Sequence, residues 1–148
     1  MPSISVQSDD FDIAAEIAST RGDNYDVGAV VTFTGTVRDV GGTLTNMTLE
    51  HYPGMTEKEL TRIAIEAEGR WPLHGCRVIH RYGTLAPGDN IVLVVTASRH
   101  RHAAFEAAEF LMDFLKSKAP FWKKETTPQG GDWVDAKETD EEALKRWQ

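Results

Sequence analysis

The chain has one cysteine, Cys76, among its 148 residues, and it has no long run of apolar residues. A single cysteine forms no internal disulfide, and it excludes a zinc site built on several thiolates. No apolar stretch approaches the roughly 18 residues that a membrane helix needs. The N-terminal segment has neither the basic start nor the apolar core of a secretory signal. We therefore expect a cytoplasmic protein that does not enter a membrane.

Several familiar site motifs are also missing. The sequence contains no glycine-rich phosphate loop, no HExxH pattern and no GxSxG pattern. Its histidines are not spaced as metal ligands, because His100 and His102 are two residues apart and the others have no obvious partners. We expect neither a bound metal nor another cofactor.

Charge is spread unevenly along the chain. The formal net charge is −7, which argues against a nucleic-acid-binding protein. Residues 96–124 carry six Arg or Lys against three acidic side chains, a local charge of +3 that leaves −10 for the remainder. A basic segment in an acidic protein indicates a site for a small anionic ligand, although an ordinary mixed surface has the same composition.

The hydrophobic pattern predicts strands interleaved with helices, which is typical of an α+β fold. The predicted helices cover residues 11–19, 56–71 and 102–118. The predicted strands cover residues 3–6, 28–37, 43–52, 76–83, 90–97, 121–127 and 132–137. We expect one domain over residues 1–148, with an acidic tail at 139–148 that either frays or packs on a partner.

Two local predictions concern how these elements are joined. The turn DVGG predicts that strand 28–37 pairs with strand 43–52 as an antiparallel hairpin. The sequence Thr56-Glu57-Lys58-Glu59 predicts a capping box, in which Thr56 accepts from the amide of Glu59 and Glu59 reaches back. The same helix is predicted to end at Pro72.

Lys116 and Lys123 are the first candidates for chemistry. Lys116 lies in the last turn of the longest predicted helix, and Lys123 follows the break at Ala119-Pro120. A turn there can bring both ammonium groups to one site, where their repulsion favours the neutral amine in one of them. Such an amine acts as a general acid, a general base or a nucleophile. Two solvated lysines fit the same spacing, because a helix C-terminus attracts cations in any case.

Arg38, His100 and Arg101 are candidates for binding an anion. Arg38 ends a predicted strand, where the fork of a guanidinium grips phosphate, although a surface salt bridge is the commoner role. His100 and Arg101 open the longest helix, and a helix N-terminus flanked by basic side chains favours a phosphate. Basic residues oppose the helix dipole at this end, so their presence requires a reason.

Three further side chains have alternative interpretations. Phe121 and Trp122 precede Lys123 and form either an apolar wall of a site or plain core. Cys76 opens a predicted strand, and a lone cysteine there is more often buried and inert than a sulfur-carrying thiol.

Five blocks of the sequence resemble, in order, the catalytic (large) subunit family of molybdopterin synthases. They are GAVVTFTGTVRD, LEHYPGMTEKEL, WPLHGCRVIHRYGTLAPGD, SRHRHAAFEAAEFLMDFLKSKAPFWKKE and WVDAK, which together span residues 28–137. The stretches RHRHAAF and LKSKAPFWKKE are long and unusual, so chance similarity does not account for them.

The resemblance implies an α/β hammerhead-type fold with an additional antiparallel sheet. It implies a homodimer with a small ubiquitin-like subunit at each end, forming a heterotetramer. That subunit carries a thiocarboxylate on its C-terminal Gly-Gly and donates sulfur to cyclic pyranopterin monophosphate (precursor Z). Two transfers form the dithiolene of molybdopterin in molybdenum cofactor biosynthesis, and no metal is required by the large subunit.

The resemblance also assigns site residues. Lys116 and Lys123 match the catalytic lysines of the family, and Arg38, His100 and Arg101 match its contacts to the substrate phosphate. The family's pocket lies near the dimer interface, so His100 and Arg101 serve either their own site or that of the neighbouring subunit.

Less specific matches are three residues at pocket-lining positions: Phe33, Met112 and Glu125. Two other functions are alternatives to catalysis. One is a non-catalytic module that binds a ubiquitin-like tail in the same basic cleft. The other, which the net charge disfavours, is a small RNA-binding domain that uses Phe121, Trp122 and the lysines.

Overall fold

The computed structural model describes residues 2–39, 41–128, 130–134 and 138–148. Within these ranges the chain forms strands and helices in the order β1 (Ser3–Gln7), α1 (Ile13–Arg21), β2 (Ala29–Thr36), β3 (Asn46–His51), α2 (Met55–Arg70), β4 (Leu73–Arg81), β5 (Gly83–Leu85), β6 (Asn90–Ser98), α3 (Arg101–Ser117), β7 (Phe121–Thr127), β8 (Gly130–Val134) and α4 (Glu138–Lys145).

One sheet forms the centre of the molecule. Its strand order is β1-β4-β6-β2, with β1 parallel to β4 and the other pairs antiparallel. Strand β6 is rich in β-branched residues and is buried from Val92 to Ser98, as expected for a strand covered on both faces.

A second sheet lies beside it in the order β5-β3-β7-β8, with every pair antiparallel. Its inner face contributes Met47, Leu49 and Leu85 to a small core with Val37. The predicted α+β class with an additional antiparallel sheet is therefore confirmed.

Helices cover both faces of the first sheet. Helices α2 and α3 pack on the face that carries Val78 and Val94, where Leu60 and Phe110 are nearly inaccessible to solvent. Helix α1 covers the opposite face, and its Ile17 packs on a second layer of buried strand residues. Among the described residues, no helix combines the length and the apolar content that crossing a bilayer requires.

The predicted hairpin between strands 28–37 and 43–52 is wrong. β2 pairs with β6 in the first sheet, whereas β3 pairs with β5 and β7 in the second. Beyond β2, Val37 accepts from Gly88 and donates to Asp89 through its backbone, which fixes the strand end to the turn before β6. The chain therefore passes from one sheet to the other. Alternation of apolar residues does not predict this, because it shows which face of a strand is buried but not which strand pairs with it.

The predicted capping box is also wrong. Helix α2 begins one residue earlier, with Gly54 at φ 85° as its N-cap. The Glu57 carboxylate accepts from the Gly54 amide at 2.8 Å, and Glu59 instead pairs with Arg62 at 3.1 Å. Thr56 is completely buried, and its hydroxyl donates to the carbonyl of Pro120, 64 residues away.

The acidic tail folds onto its own chain as α4. Leu144 is buried, and the ring of Trp147 packs edge-on against those of Trp71 and Phe110 with centroids 5.5 Å apart in each case. The Trp147 indole N–H donates to Asp113 at 2.6 Å. The predicted strand 132–137 is present as β8 as far as Val134, and residues 135–137 lie outside the described residues.

Candidate active site

A cleft of about 370 Å³ lies where the two sheets meet the C-terminal end of α3. Its lining comes from the end of β2, β3, the end of β4, the start of β6, the last turns of α3, β7, the end of β8 and the start of α4. The cleft is thus built by segments that are far apart in sequence and that only the folded sheets bring together.

Lys116 and Lys123 both line this cleft, as the sequence predicts. Lys116 is in the last turn of α3, where its charge is favourable to the helix dipole. Lys123 is the third residue of β7 and faces the interior because it alternates with the outward-facing Trp122. The structure brings the two ammonium groups into one site, and their catalytic roles stay a prediction.

The turn between the lysines is held by several hydrogen bonds. At the end of α3, the amides of Lys118 and Ala119 both donate to the carbonyl of Phe114, at 2.8 and 3.2 Å. At the next residue, Pro120, the backbone carbonyl accepts from the hydroxyl of Thr56 at 3.2 Å. The same hydroxyl accepts from the Tyr52 amide at 3.1 Å, so α2 anchors the turn from the side.

His80 is a cleft residue that the sequence did not single out. Only 7% of it is exposed, and its ring stacks on that of Phe121 with centroids 3.7 Å apart and planes 16° from parallel. Burial lowers the pKa of His80 to about 4, and the positive charges of Lys116 and Lys123 act in the same direction. One feature of the sequence indicates that His80 is unusual. It alternates in phase with Cys76 and Val78, so a polar side chain lies on the same strand face as these apolar ones.

Helix α4 supplies a second part of the lining that was not foreseen. Thr139 and Asp140 line the cleft, and the Ser117 hydroxyl donates to the backbone carbonyl of Asp140 at 2.7 Å. Nothing in the acidic composition of the tail indicates that it returns to the end of α3. The contact depends on the packing of Leu144 and Trp147 further along.

The three predicted pocket residues lie at different distances from the cleft. Met112 lines it, one helical turn before Lys116. Phe33 is 39% exposed on β2, and its ring borders the cleft residue Gly35, where an added Cβ would lie 3.3 Å from it. Glu125 is on the same face of β7 as Lys123 and is outside the lining.

The predicted phosphate contacts are not in the lining of the lysine cleft. Arg38 is exposed, two residues beyond the cleft residue Thr36. His100 and Arg101 lie at the opposite end of α3 in a shallow depression with Phe105. Lys116 follows Arg101 by fifteen positions along α3, a distance of about 22 Å along the helix axis. One chain by itself does not bring these two groups together.

Phe121, Trp122 and Cys76 are the remaining candidates from the sequence. Phe121 lines the cleft, whereas Trp122 is on the outer face of its sheet, with its ring edge-on to that of Tyr52 at 4.5 Å. Cys76 is buried, and burial raises the pKa of its thiol to about 12, which favours the inert interpretation. Within the part of the chain that the structure describes, no group of three or more His, Cys, Asp or Glu side chains is arranged to hold a metal ion.

Comparisons with known proteins agree on one family. The model of the MoaE protein family matches residues 6–118. The chain is 62% identical over 148 residues to the molybdopterin synthase catalytic subunit of Mesorhizobium japonicum, and the match covers 99% of the chain and 93% of that protein.

Solved structures give the same result. The MoaE protein from Burkholderia ambifaria MC40-6 is 54% identical with a TM-score of 0.86, covering 99% of this chain and 98% of that one. The molybdopterin synthase structure from Staphylococcus aureus is 32% identical with a TM-score of 0.83, covering 91% of this chain and 98% of that one.

Proposed function

The chain belongs to the MoaE protein family, and we propose that it acts as the catalytic subunit of a molybdopterin synthase, a sulfurtransferase of the cytoplasm. The sulfur donor is the C-terminal thiocarboxylate of a small ubiquitin-like subunit. The acceptor is cyclic pyranopterin monophosphate, and the product carries the dithiolene that later binds molybdenum.

The observation that carries the proposal is the position of two lysines in one cleft. Lys116 and Lys123 come from different elements and line the same cavity, and the family model covers the first of them. The cavity, at about 370 Å³, has the size of a small-molecule site. Cationic groups in a partly enclosed cleft stabilise the negative charge of a thiocarboxylate and of a phosphate ester.

The chemistry assigns the lysines to proton transfer and charge stabilisation. The thiocarboxylate sulfur forms a bond to a carbon of the pterin side chain, and the oxygen that leaves this carbon takes a proton from an ammonium group. The product of this step is a thioester between the partner's tail and the substrate. Water then cleaves the thioester, which leaves sulfur on the pterin and a carboxylate on the tail. A second round, with a second tail, completes the dithiolene.

The phosphate is assigned to Arg38, His100 and Arg101. Because Arg101 lies about 22 Å from Lys116 along α3, we propose that a second copy of the chain supplies His100 and Arg101 to the site. This arrangement requires a homodimer, which with two small subunits makes a heterotetramer. Arg38, two residues beyond the cleft residue Thr36 on its own chain, completes the set of cationic groups.

The remaining assigned residues shape the substrate site. Met112 forms part of the cleft wall, and Phe33 borders it through Gly35. Glu125 is next in phase to Lys123 on β7, so the two side chains share one face of the strand. These three side chains are proposed to affect substrate binding more than the chemical step.

The test is to combine the purified chain with a thiocarboxylated small subunit and precursor Z, and to assay the dithiolene. Lys116→Ala and Lys123→Ala are expected to lower kcat by about 100-fold or more, because general acid–base groups contribute on that scale. Lys118→Ala is the matched control, since Lys118 is an exposed lysine at the end of the same helix and lies outside the cleft lining.

Two results would contradict the proposal. If wild-type chain forms no dithiolene while it binds the small subunit, the chain is a non-catalytic module for a ubiquitin-like tail. If both lysine variants convert the precursor at the wild-type rate, the cleft is not where the reaction occurs.

A further inference from the structure

His80 occupies the wall of the lysine cleft, and it forms no ion pair with any residue that the structure describes. It is at the end of β4, and its ring is fixed by the stack on Phe121, which also lines the cleft. Phe121 is two residues before Lys123 on β7. The imidazole is therefore held rigidly beside the site through the same strand that positions one of the two lysines.

The hydrogen bond of the ring defines its tautomer. Nδ1 of His80 lies 2.9 Å from the backbone carbonyl oxygen of Arg81. A carbonyl oxygen only accepts, so Nδ1 carries the proton and donates. In a neutral imidazole the other nitrogen, Nε2, then has a free lone pair and acts as an acceptor.

The position of Nε2 of His80 follows by elimination. Among the described residues, none forms a hydrogen bond with this nitrogen. Within the same part of the chain, the only side-chain nitrogen or oxygen that is both buried and without a hydrogen-bond partner is Glu57 Oε1. Nε2 of His80 is therefore not completely buried. Since the cleft is the cavity that His80 lines, we place the free lone pair at the cleft surface.

The charge state of His80 agrees with this geometry. Burial lowers its pKa to about 4, and Lys116, Lys123 and His51 all disfavour a further positive charge nearby. The ring therefore stays neutral at physiological pH, and Nε2 stays unprotonated. His80 brings an acceptor, not a third cation, to a site that already contains two ammonium groups.

We propose that Nε2 of His80 accepts a hydrogen bond from an N–H or O–H group of the substrate, and so selects which edge of the heterocycle faces the lysines. This assignment rests on the proposed function, since it takes a pterin-like ring as the ligand. Lysine ammonium groups only donate, so they do not recognise the donors of such a ring. A locked imidazole differs from the threonine hydroxyls in the cleft, which rotate and serve as donors as readily as acceptors.

The first test measures the tautomer directly and does not depend on activity. A long-range ¹H–¹⁵N spectrum of the histidine rings at pH 7 is expected to show His80 neutral, protonated at Nδ1 and unprotonated at Nε2. Addition of precursor Z to the complex with the small subunit is expected to shift the Nε2 resonance. A charged ring, the opposite tautomer or an unchanged Nε2 resonance with the precursor bound would overturn the proposal.

The second test separates the two nitrogens with a pair of substitutions. The amide of His80→Asn reaches the position of Nδ1 and can still donate to Arg81, but it places nothing at Nε2. The longer amide of His80→Gln reaches the position of Nε2 and offers an acceptor there. We expect His80→Asn to raise KM and lower kcat/KM by about tenfold, and His80→Gln to lose about threefold, on the scale of one hydrogen bond.

The two variants distinguish an acceptor at Nε2 from a purely structural role of His80. Equal losses in the two variants, no loss in either, or the reverse order would assign His80 a purely structural role. Circular dichroism and thermal unfolding verify that each variant is folded. If wild-type chain forms no dithiolene, the proposed function fails, and the nitrogen shifts with bound precursor still decide whether His80 is an acceptor for it.

Discussion

The hydroxyl of Thr56 donates to the carbonyl of Pro120 at 3.2 Å, although the two residues are 64 positions apart. This bond ties the first turn of α2 to the turn between Lys116 and Lys123. Thr56 is fully buried, so its hydroxyl has no water as an alternative partner. The spacing of the catalytic candidates thus depends on a residue outside the cleft.

Replacement of Thr56 by valine keeps the shape of the side chain and removes its hydroxyl. We expect a loss of about 1–3 kcal/mol in the free energy of unfolding, because the Pro120 carbonyl and the Tyr52 amide both lose a partner. We also expect a lower kcat as the turn relaxes. Thr56→Ser, which keeps the hydroxyl, should recover most of the activity. Chemical denaturation and dithiolene assays measure both effects, and equal kcat for the two variants would refute the link.

Mixed dimers test whether Arg101 acts on the neighbouring subunit. Lys116→Ala and Arg101→Ala are each expected to be nearly inactive as homodimers. The two variants are unfolded and refolded together in equal amounts, so that random pairing makes about half of the dimers heterodimers. If Arg101 acts across the interface, each heterodimer has one of its two sites intact. About a quarter of wild-type activity should then return. If Arg101 serves its own chain, no site is intact and the mixture stays inactive.

Stability should fall in mild acid because of His80. The pKa of His80 is lowered from 6.5 to about 4 in the folded chain, so the unfolded chain binds the proton first as the pH decreases. The stabilising contribution of the neutral ring is present above pH 6.5 and is lost towards pH 4. Linkage gives a loss of about 2 kcal/mol between pH 7 and pH 5.

The control for this prediction is His80→Asn, which does not titrate in this range. Urea unfolding at several pH values should show a shallower decrease for the variant than for wild type. The other histidines, including His51, are common to both proteins and cancel in the comparison. Parallel pH profiles would show that His80 is not held neutral by burial.

Docking of α4 should depend on Trp147. Trp147→Ala removes the packing on Trp71 and Phe110 and the bond to Asp113, and large aromatic truncations of this kind cost about 3 kcal/mol. Trp147→Phe keeps a ring and loses the N–H donor, so a loss of about 1 kcal/mol is expected. Because α4 carries Thr139 and Asp140 to the cleft, KM should rise with the alanine variant. Unchanged stability and KM would mean that α4 does not dock in solution.

Gly28 allows the backbone before α3 to approach closely. A Cβ at this position would lie 2.3 Å from the carbonyl oxygen of Arg99, which is too close without a backbone shift. We expect Gly28→Ala to destabilise the fold by about 1–3 kcal/mol. It should also displace His100 and Arg101 and raise KM for the precursor. Thermal unfolding and steady-state kinetics measure these effects.

Gly69→Ala provides the matched control for the same substitution. Gly69 is near the end of α2, and a Cβ there would meet no atom within 4 Å. The alanine should stabilise the helix by up to about 1 kcal/mol and leave KM unchanged. A destabilised Gly69→Ala, or a neutral Gly28→Ala, would contradict the packing that the structure shows at these two positions.

Local patterns predicted α1, α2, α3 and most strands well, but they did not predict α4. The apolar stripe of residues 102–118 predicted α3 almost to the residue, and the proline break after it placed Lys116 and Lys123 near one turn. The same patterns failed for the partners of β2 and β3, because pairing depends on contacts between distant segments. They also missed β5, whose three residues are too short to show a period.

The candidate site was predictable where sequence alone carries a distinctive motif. The spacing around the proline break and the block LKSKAPFWKKE indicated both lysines. The ends of a predicted strand and helix, together with the family resemblance, indicated Arg38, His100 and Arg101, which lie outside the cleft lining. His80 and Asp140 had no such signal, since each is an ordinary residue type in an ordinary local context. Their place in the cleft follows from the packing of β4 and α4 against distant elements.

The amino-acid sequence by itself determined the secondary structure periods, the acidic balance with its basic segment, and the likeness to one family, because all of these reside in residue types and their spacing. Only the tertiary structure decided which strands share a sheet, that a buried neutral histidine borders the lysines, and that α4 returns to the cleft. Those relationships depend on how apolar faces pack. Packing brings together residues that are far apart along the chain, and local sequence patterns do not indicate which of them will be in contact.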